Sequence, residues 1–216
     1  MSYRLGVDVG GTFTDFLLIN ESDGSTYTAK VPSTPEDSSI GVLNGVERIC
    51  EQSGVNPKDI KLVMHGTTVA TNAVLTGNGA KVGLLTTQGY ESILQVARSF
   101  CPGGLGGWVS FVKGPLLAPL ELTYGIKERT DASGEISIPL DEDHLKEQLT
   151  QLKKRGQVEA LTISFVNSYI NNANEVLAAK IAAEIFTDVP ISISSEVIPE
   201  MQEYERAETT VLNSYV

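Results

Sequence analysis

Two aspartates, two glycines and two threonines fall within Asp8–Asp15 of the stretch GVDVGGTFTD. Gly10 and Gly11 lack Cβ atoms, so the chain can turn tightly there and an anion can approach the backbone amides. Thr12 and Thr14 would add hydroxyl donors at the same rim. Asp8, two residues before the glycines, could hold a hydrated Mg²⁺ against phosphate oxygens. Asp15, on the following arm, could orient water or a metal-bound water. Carboxylates repel a phosphate unless a divalent cation lies between them. The pattern therefore implies a nucleotide phosphate held together with a metal, whereas Gly-Gly alone would imply only a tight hairpin.

A second constellation is HGTTVATN, residues 65–72. His65 and Gly66 end a strand-like run, and Thr67 or Thr68 begins a helix whose free amides favour anions or carbonyl oxygens. Ligands of α/β folds bind at the carboxyl ends of parallel strands. Thr67, Thr68 and Asn72 could thus line a substrate side, with His65 as donor or proton carrier. The residues alone favour a buried histidine beside a capped helix, with no chemistry.

The elements that would position these groups read as follows. Leu5, Val7 and Val9 share one side of a strand, Phe16–Ile19 form a second, and Thr26–Val31 a third after the ESDGS turn. Short turns between consecutive strands predict an antiparallel meander. STPED then places Thr34 as N-cap and Pro35 at the first helical position, with acidic residues in the first turn. Ile40, Leu43, Val46 and Ile49/Cys50 follow at helical spacing up to Gly54. KLVMHG reads as a buried strand, TTVATNAVLT as a short helix closed by Gly77, and KVGLLTT as a strand parallel to KLVMHG, completing a βαβ unit.

Residues 99–120 break this regularity with five glycines in 103–114, three prolines and the single tryptophan. No GK[ST] follows these glycines, so they resemble a phosphate loop only superficially. Trp108 and Phe111 could wall a pocket, although plain packing accounts for them as well. Beyond them, IKERTDASGEISIPL reads as a hairpin and DEDHLKEQLTQLKKRG as a helix capped by Asp141. In that helix Leu145, Leu149 and Leu152 share one face, and His144 lies on a solvated, charged one. EALTISFV, NANEVLAAKIAAEIF and VPISISS form a second βαβ unit, and MQEYERAETTVLNSYV is helical to the last residue.

Composition narrows the function classes. The 216 residues are 41% hydrophobic and carry a formal charge of −11. Interspersed acidic charge argues against nucleic acid, whose phosphates need clustered Lys and Arg. No run approaches the roughly 18 apolar residues of a membrane span. Cys50 and Cys101 form no CxxC or metal-ligand spacing, and no signal-peptide core is present, so a reducing cytoplasm is expected.

GVDVGGTFTD resembles the first phosphate motif of the actin-like ATPase and sugar-kinase superfamily. MHGTTVATNAVL at 64–75, KERTDASGEISIPLDE at 127–142 and SSEVIPEMQEYERAETTVLNSYV at 194–216 make the chain similar to one family within it. That family is the hydantoinase/oxoprolinase family: hydantoinase A, ATP-dependent 5-oxoprolinase, and the related subunits of acetone and acetophenone carboxylases. The family often has a histidine near the end of SYINNANE, where this chain has Asn174, so no function is assigned there.

The resemblance implies an α/β fold of the actin-like, ribonuclease H-like type: a mixed sheet with N-terminal antiparallel hairpins and βαβ units, and helices packed on the sheets. Residues 1–195 would be the N-terminal domain and 196–216 the truncated start of a hydantoinase A domain. The implied enzyme is an ATP-dependent cyclic amide hydrolase, acting on hydantoin, 5-oxoproline or another lactam and phosphorylating the carbonyl oxygen before ring opening. Alternatives are a subunit of a ketone carboxylase using bicarbonate and a non-catalytic nucleotide-binding regulatory domain. In that scheme Asp8 places Mg²⁺, and Gly10, Gly11 and Thr12 cradle the β/γ-phosphates of ATP with Thr14 and Asp15 beside them. Asp8, Asp15 and His65 would be catalytic, and Thr67, Thr68 and Asn72 would face the substrate. A hydantoinase B-type partner is implied, and homo-oligomer formation stays open. The second phosphate motif and the adenosine pocket would lie downstream of residue 216, so this chain alone is expected to turn over little ATP.

Overall fold

The computed structural model describes residues 2–34, 37–101, 103–110, 113–156 and 158–216, apart from the side chains of Leu105, Trp108 and Ser110. The chain divides into two compact units, Met1–Asn78 and Gly79–Val216.

In the first unit, β1 (Tyr3–Val9), β2 (Phe13–Asn20) and β3 (Thr26–Pro32) form the expected antiparallel meander. Alternation sends Leu5, Val7, Val9, Phe16 and Leu18 to one face, where they form a core with Ile49 and Cys50 of α1 (Ser38–Ser53). Leu5, Leu18 and Ile49 are at most 1% exposed, and each such side chain contributes about 1.5–3 kcal/mol by leaving water. The α1 stripe differs from the expected one. Ile40 and Leu43 are 49% and 68% exposed, and the buried residues are Gly41, Gly45, Ile49 and Cys50. The cause is close packing, because a Cβ on Gly45 would lie 2.0 Å from the Phe16 ring. The N-cap is Asp37, whose carboxylate accepts the Ser39 amide at 2.9 Å, and not Thr34. Thr34 Oγ1 instead accepts the Gly41 amide at 2.9 Å. Helix α1 therefore has no acidic residue in its first turn, and Pro35 lies outside the described residues.

Next come β4 (Ile60–Thr67) and α2 (Val69–Thr76), which ends at Gly77. Strand β4 runs parallel to β1 and gives the order β3-β2-β1-β4. Two expectations fail here. Strand β4 is an edge strand with Leu62, Val63 and Met64 exposed rather than buried, because α1 lies over β2 and β3. It also does not pair with β5 (Val82–Thr87), which belongs to the sheet of the second unit. All six β5 residues are buried, and a strand buried on both faces needs a neighbour on each side and a layer above and below.

The second unit supplies these. Its helices and strands are α3 (Ile93–Val96), α4 (Gly104–Ser110), β6 (Thr123–Ile126), β7 (Arg129–Thr130), β8 (Ile136–Ile138), α5 (Glu142–Arg155), β9 (Ala160–Ser164), α6 (Ala173–Ile185), β10 (Ile191–Ile193), α7 (Ser194–Val197) and α8 (Glu203–Tyr215). The sheet order is β10-β9-β5-β6, with every pair parallel. The β9–α6–β10 crossover and the β7–β8 hairpin match their expectations. Residues 99–120 are less irregular than expected, since they include α4. Phe111 and the Trp108 side chain, weighed above as a pocket wall, lie outside the described residues. Leu145, Leu149 and Leu152 of α5 pack with Leu161 and Ile163 of β9. The alternate residue, Thr162, shares a 2.7 Å hydrogen bond with Ser214 of α8, so α8 covers the other face. His144 is half-buried rather than solvated, with Nδ1 accepting the Lys127 amide at 3.3 Å.

A buried polar cluster closes the carboxyl end of this sheet. Glu175 accepts the Phe165 and Ser195 amides at 2.8 and 2.9 Å and the Ser194 hydroxyl at 2.6 Å. Arg206, fully buried, donates to Ser194 Oγ, Phe165 O and Glu200 O and pairs with Glu203. Beside them, Thr87 and Asn174 donate to the two oxygens of Glu128.

Gly45→Ala should destabilise the chain. The gain in helix propensity, about 1 kcal/mol, is smaller than the overpacking cost of about 1–3 kcal/mol. A lowered urea midpoint is expected, and an unchanged or raised one would contradict the packing described. Burial pushes the Glu128 carboxyl above its ordinary 4.5, outweighing the Thr87 and Asn174 hydrogen bonds. A group whose pKa rises on folding contributes stability that is full below its unfolded value and lost as pH climbs through its folded value. Glu128→Gln should therefore flatten the decline in urea midpoint as pH rises from about 4.5 toward neutrality; parallel wild-type and variant profiles would contradict it.

Candidate functional site

The hairpin joining β1 to β2 is held from several sides. Gly10 N–H donates to Phe13 O at 3.0 Å, closing the turn, and Ser33 N–H donates to Thr12 O at 3.0 Å. Ser33 Oγ donates to Gly10 O at 2.7 Å and lies 3.0 Å from Thr14 Oγ1. Neither Gly10 nor Gly11 has positive φ, so close approach rather than backbone conformation calls for glycine here. A Cβ at Gly10 would lie 2.9 Å from Phe13 O, and one at Gly11 would lie 3.1 Å from Asn72 Nδ2. The turn thus leaves a narrow, backbone-lined tip at which Gly11 and Thr12 are exposed.

Behind the tip, Asp8 and Asp15 are register partners on the face opposite the core. Like charges directly opposed across an antiparallel pair repel. Lys30, the β3 partner of Asp15, relieves half of this with a 3.0 Å ion pair and lies 5.2 Å from the Phe13 ring centroid. Among the described residues the Asp8 side chain has no hydrogen bond or ion pair, so its carboxylate is opposite Asp15 with no cation bonded to it. The two aspartates line a concavity of about 910 Å³ together with Lys30, Arg48, His65 and Gly66.

The start of α2 is tied to the same strand end. Thr68 N–H donates to Val9 O at 3.3 Å, and Thr67 Oγ1 accepts the Val69 amide at 3.2 Å. Asn72 Nδ2 donates to Thr68 Oγ1 at 3.3 Å, which holds its carboxamide beside Gly11. His65 is the register partner of Val7 and is exposed, and its side chain has no hydrogen bond among the described residues.

The structure therefore brings Asp8, Asp15 and His65 around one concavity. It gathers Gly10, Gly11, Thr12, Thr67, Thr68 and Asn72 at the adjoining tip. Thr14 is not brought to that rim: it is 1% exposed, on the core side, with its hydroxyl against Ser33. Three contributors escaped the sequence reading. Lys30 brings positive charge to Asp15, Arg48 lines the same concavity while donating to Lys30 O, and Ser33 props the turn. Lys30 could have been found only from the Asp15–Lys30 register, and neither Ser33 nor Arg48 carries a spacing signal. No group of three or more His, Cys, Asp or Glu side chains that could hold a metal occurs among the described residues. The two carboxylates suit a hard cation that keeps most of its waters, and the free backbone amides of the tip suit an anion.

Comparison with known proteins places the chain among relatives. The family model described as the hydantoinase/oxoprolinase N-terminal region matches residues 4–186. The acetophenone carboxylase gamma subunit of Aromatoleum aromaticum is 35% identical over 233 residues, covering 98% of this chain and 31% of that protein. A nucleotide-free structure of acetone carboxylase, from work on ATP-dependent acetone carboxylation, superposes with a TM-score of 0.89 at 28% identity, over 98% of this chain and 32% of that one. The crystal structure of the ATP-dependent caprolactamase from Pseudomonas jessenii superposes with a TM-score of 0.84 at 35% identity, over 99% and 31%. The chain thus spans about a third of the length of these relatives. A match over most of the chain, with the same fold at this identity, establishes that it belongs to the hydantoinase/oxoprolinase N-terminal region family.

Proposed function

We propose that the β1–β2 hairpin binds the phosphates of Mg²⁺-ATP and that the full-length protein is an ATP-dependent cyclic amide hydrolase. The uncompensated Asp8 carboxylate, opposite Asp15 and two residues before a turn in which a Cβ at Gly10 would strike the backbone, carries this reading. Support for the substrate class is the likeness to an ATP-dependent caprolactamase.

In this reading Asp8 would hold Mg²⁺, and Lys30 keeps Asp15 in place beside it. The amides of Gly11 and Thr12 and the Thr12 hydroxyl cradle the β- and γ-phosphates, while the Gly10 amide, bonded to Phe13 O, closes the turn and its missing side chain leaves the approach open. Thr14 acts beneath them, through Ser33, to hold the turn. Bound Mg²⁺ would neutralise phosphate charge and so lower the cost of an oxygen nucleophile approaching the γ-phosphorus. Thr67, Thr68 and Asn72 face the substrate, and His65 supplies a hydrogen bond or carries a proton. The lactam oxygen bonds to the γ-phosphorus as the bond to ADP breaks. Water then adds to the activated carbon, the ring C–N bond opens with protonation of nitrogen to leave an acyl phosphate, and a second water hydrolyses that to carboxylate and phosphate. Positioning and charge neutralisation supply most of the rate.

A ketone carboxylase subunit is the second reading, favoured by the 35% identity to an acetophenone carboxylase subunit. In either reading partner subunits of the hydantoinase B type complete the enzyme, residues 196–216 begin the next domain, and the site works in the cytoplasm. Among the described residues no helix is long and apolar enough to cross a membrane.

The test is ADP release by the full-length protein with its partner, comparing hydantoins, 5-oxoproline and caprolactam with ketones plus bicarbonate. Lactam-dependent release is expected; release only with ketone and bicarbonate would select the second reading. Asp8→Asn should lower turnover at least about 100-fold while leaving the urea midpoint within about 0.5 kcal/mol of stability; near-normal turnover would remove Asp8 from the site. Gly11→Ala should weaken Mg²⁺-ATP binding about tenfold by filling the tip against Asn72. An unchanged affinity would reduce the hairpin to a plain turn.

A further inference from the structure

The second unit holds a crevice that the phosphate site does not use. From β5 the chain passes to β6 on one side, and the next strand added to that sheet, β9, lies on the other. The carboxyl ends of β5 and β9 therefore mark a topological switch point, where open parallel sheets bind ligands. Just outside them is a cavity of about 340 Å³ walled by Tyr90, Ile93, Val96, Ala97, Glu203 and Tyr204, near the lower end of small-molecule pocket sizes.

Three observations converge on it. First, the four non-glycine residues with positive φ among those described all belong to its surrounding loops. Ala97 (φ 50°) lines the cavity, Ser99 (φ 52°) follows it, and Gln202 (φ 85°) directly precedes Glu203. Asn167 (φ 58°) donates its amide to Glu203 at 3.1 Å. Strained backbone of this kind gathers at binding sites, where surrounding structure holds it. Second, both aromatic walls are fixed by cations. Arg129 stands 5.4 Å from the Tyr90 ring centroid and Lys113 5.6 Å from that of Tyr204.

Third, the polar groups are selective. Glu203 is held by Arg206 and the Asn167 amide yet keeps a quarter of its side chain exposed, leaving lone pairs for a donor. Burial, Glu208 and Glu205 push the Tyr204 hydroxyl upward, so it remains a neutral donor.

We propose that this crevice is a second, phosphate-independent site for a compact cyclic amide, with Glu203 accepting its N–H, Tyr204 donating to its carbonyl and Ile93, Val96 and Ala97 against its ring. The amide edge of a small lactam presents donor and acceptor side by side, which matches the two adjacent residues. The choice of a lactam rests on the proposed function; the apolar walls and N–H recognition rest on the crevice itself.

The test is a titration of methyl-labelled chain with caprolactam in the absence of nucleotide, with cyclohexanone as a ring ketone lacking the N–H. Saturable shifts at the Ile93, Val96 and Ala97 methyls are expected, at least about tenfold weaker for cyclohexanone. They should vanish in Val96→Trp, a change at an exposed position that fills the crevice, and weaken in Glu203→Gln. No saturable shift, equal shifts in Val96→Trp, or equal binding of cyclohexanone would overturn the proposal. Because nucleotide is absent, such a failure leaves the ATP reading intact. Normal turnover by Asp8→Asn would instead defeat that reading and leave this site standing.

Discussion

The central placement of β1 in its sheet is the constraint on which the candidate phosphate site depends. With β2 on one side and β4 on the other, the end of β1 receives both the Gly10–Thr12 turn and the first turn of α2. The Val9 carbonyl accepts the Thr68 amide, so two stretches nearly 60 residues apart in sequence share one anchor. Moving β4 away from β1 would leave the hairpin intact but strip it of Thr67, Thr68, Asn72 and His65. The same placement sets Asp8 opposite Asp15, and the repulsion between them gives the site a standing demand for positive charge that Lys30 meets only in part.

Much of this was legible in the chain because it rests on local rules. The meander follows from period-2 alternation, and the second βαβ unit from its strand, helix and strand lengths. The Gly10–Gly11 turn follows from two residues without Cβ atoms beside paired carboxylates. What failed was non-local. KLVMHG and KVGLLTT are both apolar runs, and nothing within either says that one becomes an exposed edge and the other a central strand. The α1 stripe was misread because Gly41 and Gly45 carry no apolar signal, although Gly45 makes the closest approach to the sheet. Thr14 was placed at the rim by its hydroxyl, whereas strand parity puts it on the core side with Val9.

The second unit shows how motifs without evident chemistry can be structural. Glu175, Ser194-Ser195 and Arg206 lie apart in sequence but meet in one buried network at the carboxyl end of the sheet, with the Asn174–Glu128 pair beside it. Buried charges are tolerable only when their remaining hydrogen-bonding capacity is filled. Here Glu175 and Arg206 fill it with backbone groups of Phe165, Ser195 and Glu200, which fixes the loop after β9 and both ends of α7 relative to the sheet. The network also holds Glu203 at the wall of the crevice, so a stability element and a candidate recognition element share one side chain.

The central claim is that the hairpin amides and Asp8 together bind a metal–nucleotide complex. The direct measurement is the response of the Gly10, Gly11 and Thr12 amide resonances of this chain to ADP with and without Mg²⁺. Saturable shifts concentrated at those amides, present with Mg²⁺ and abolished by chelation, are the predicted result. Shifts confined to other residues, or the same shifts after Mg²⁺ is removed, would contradict the account.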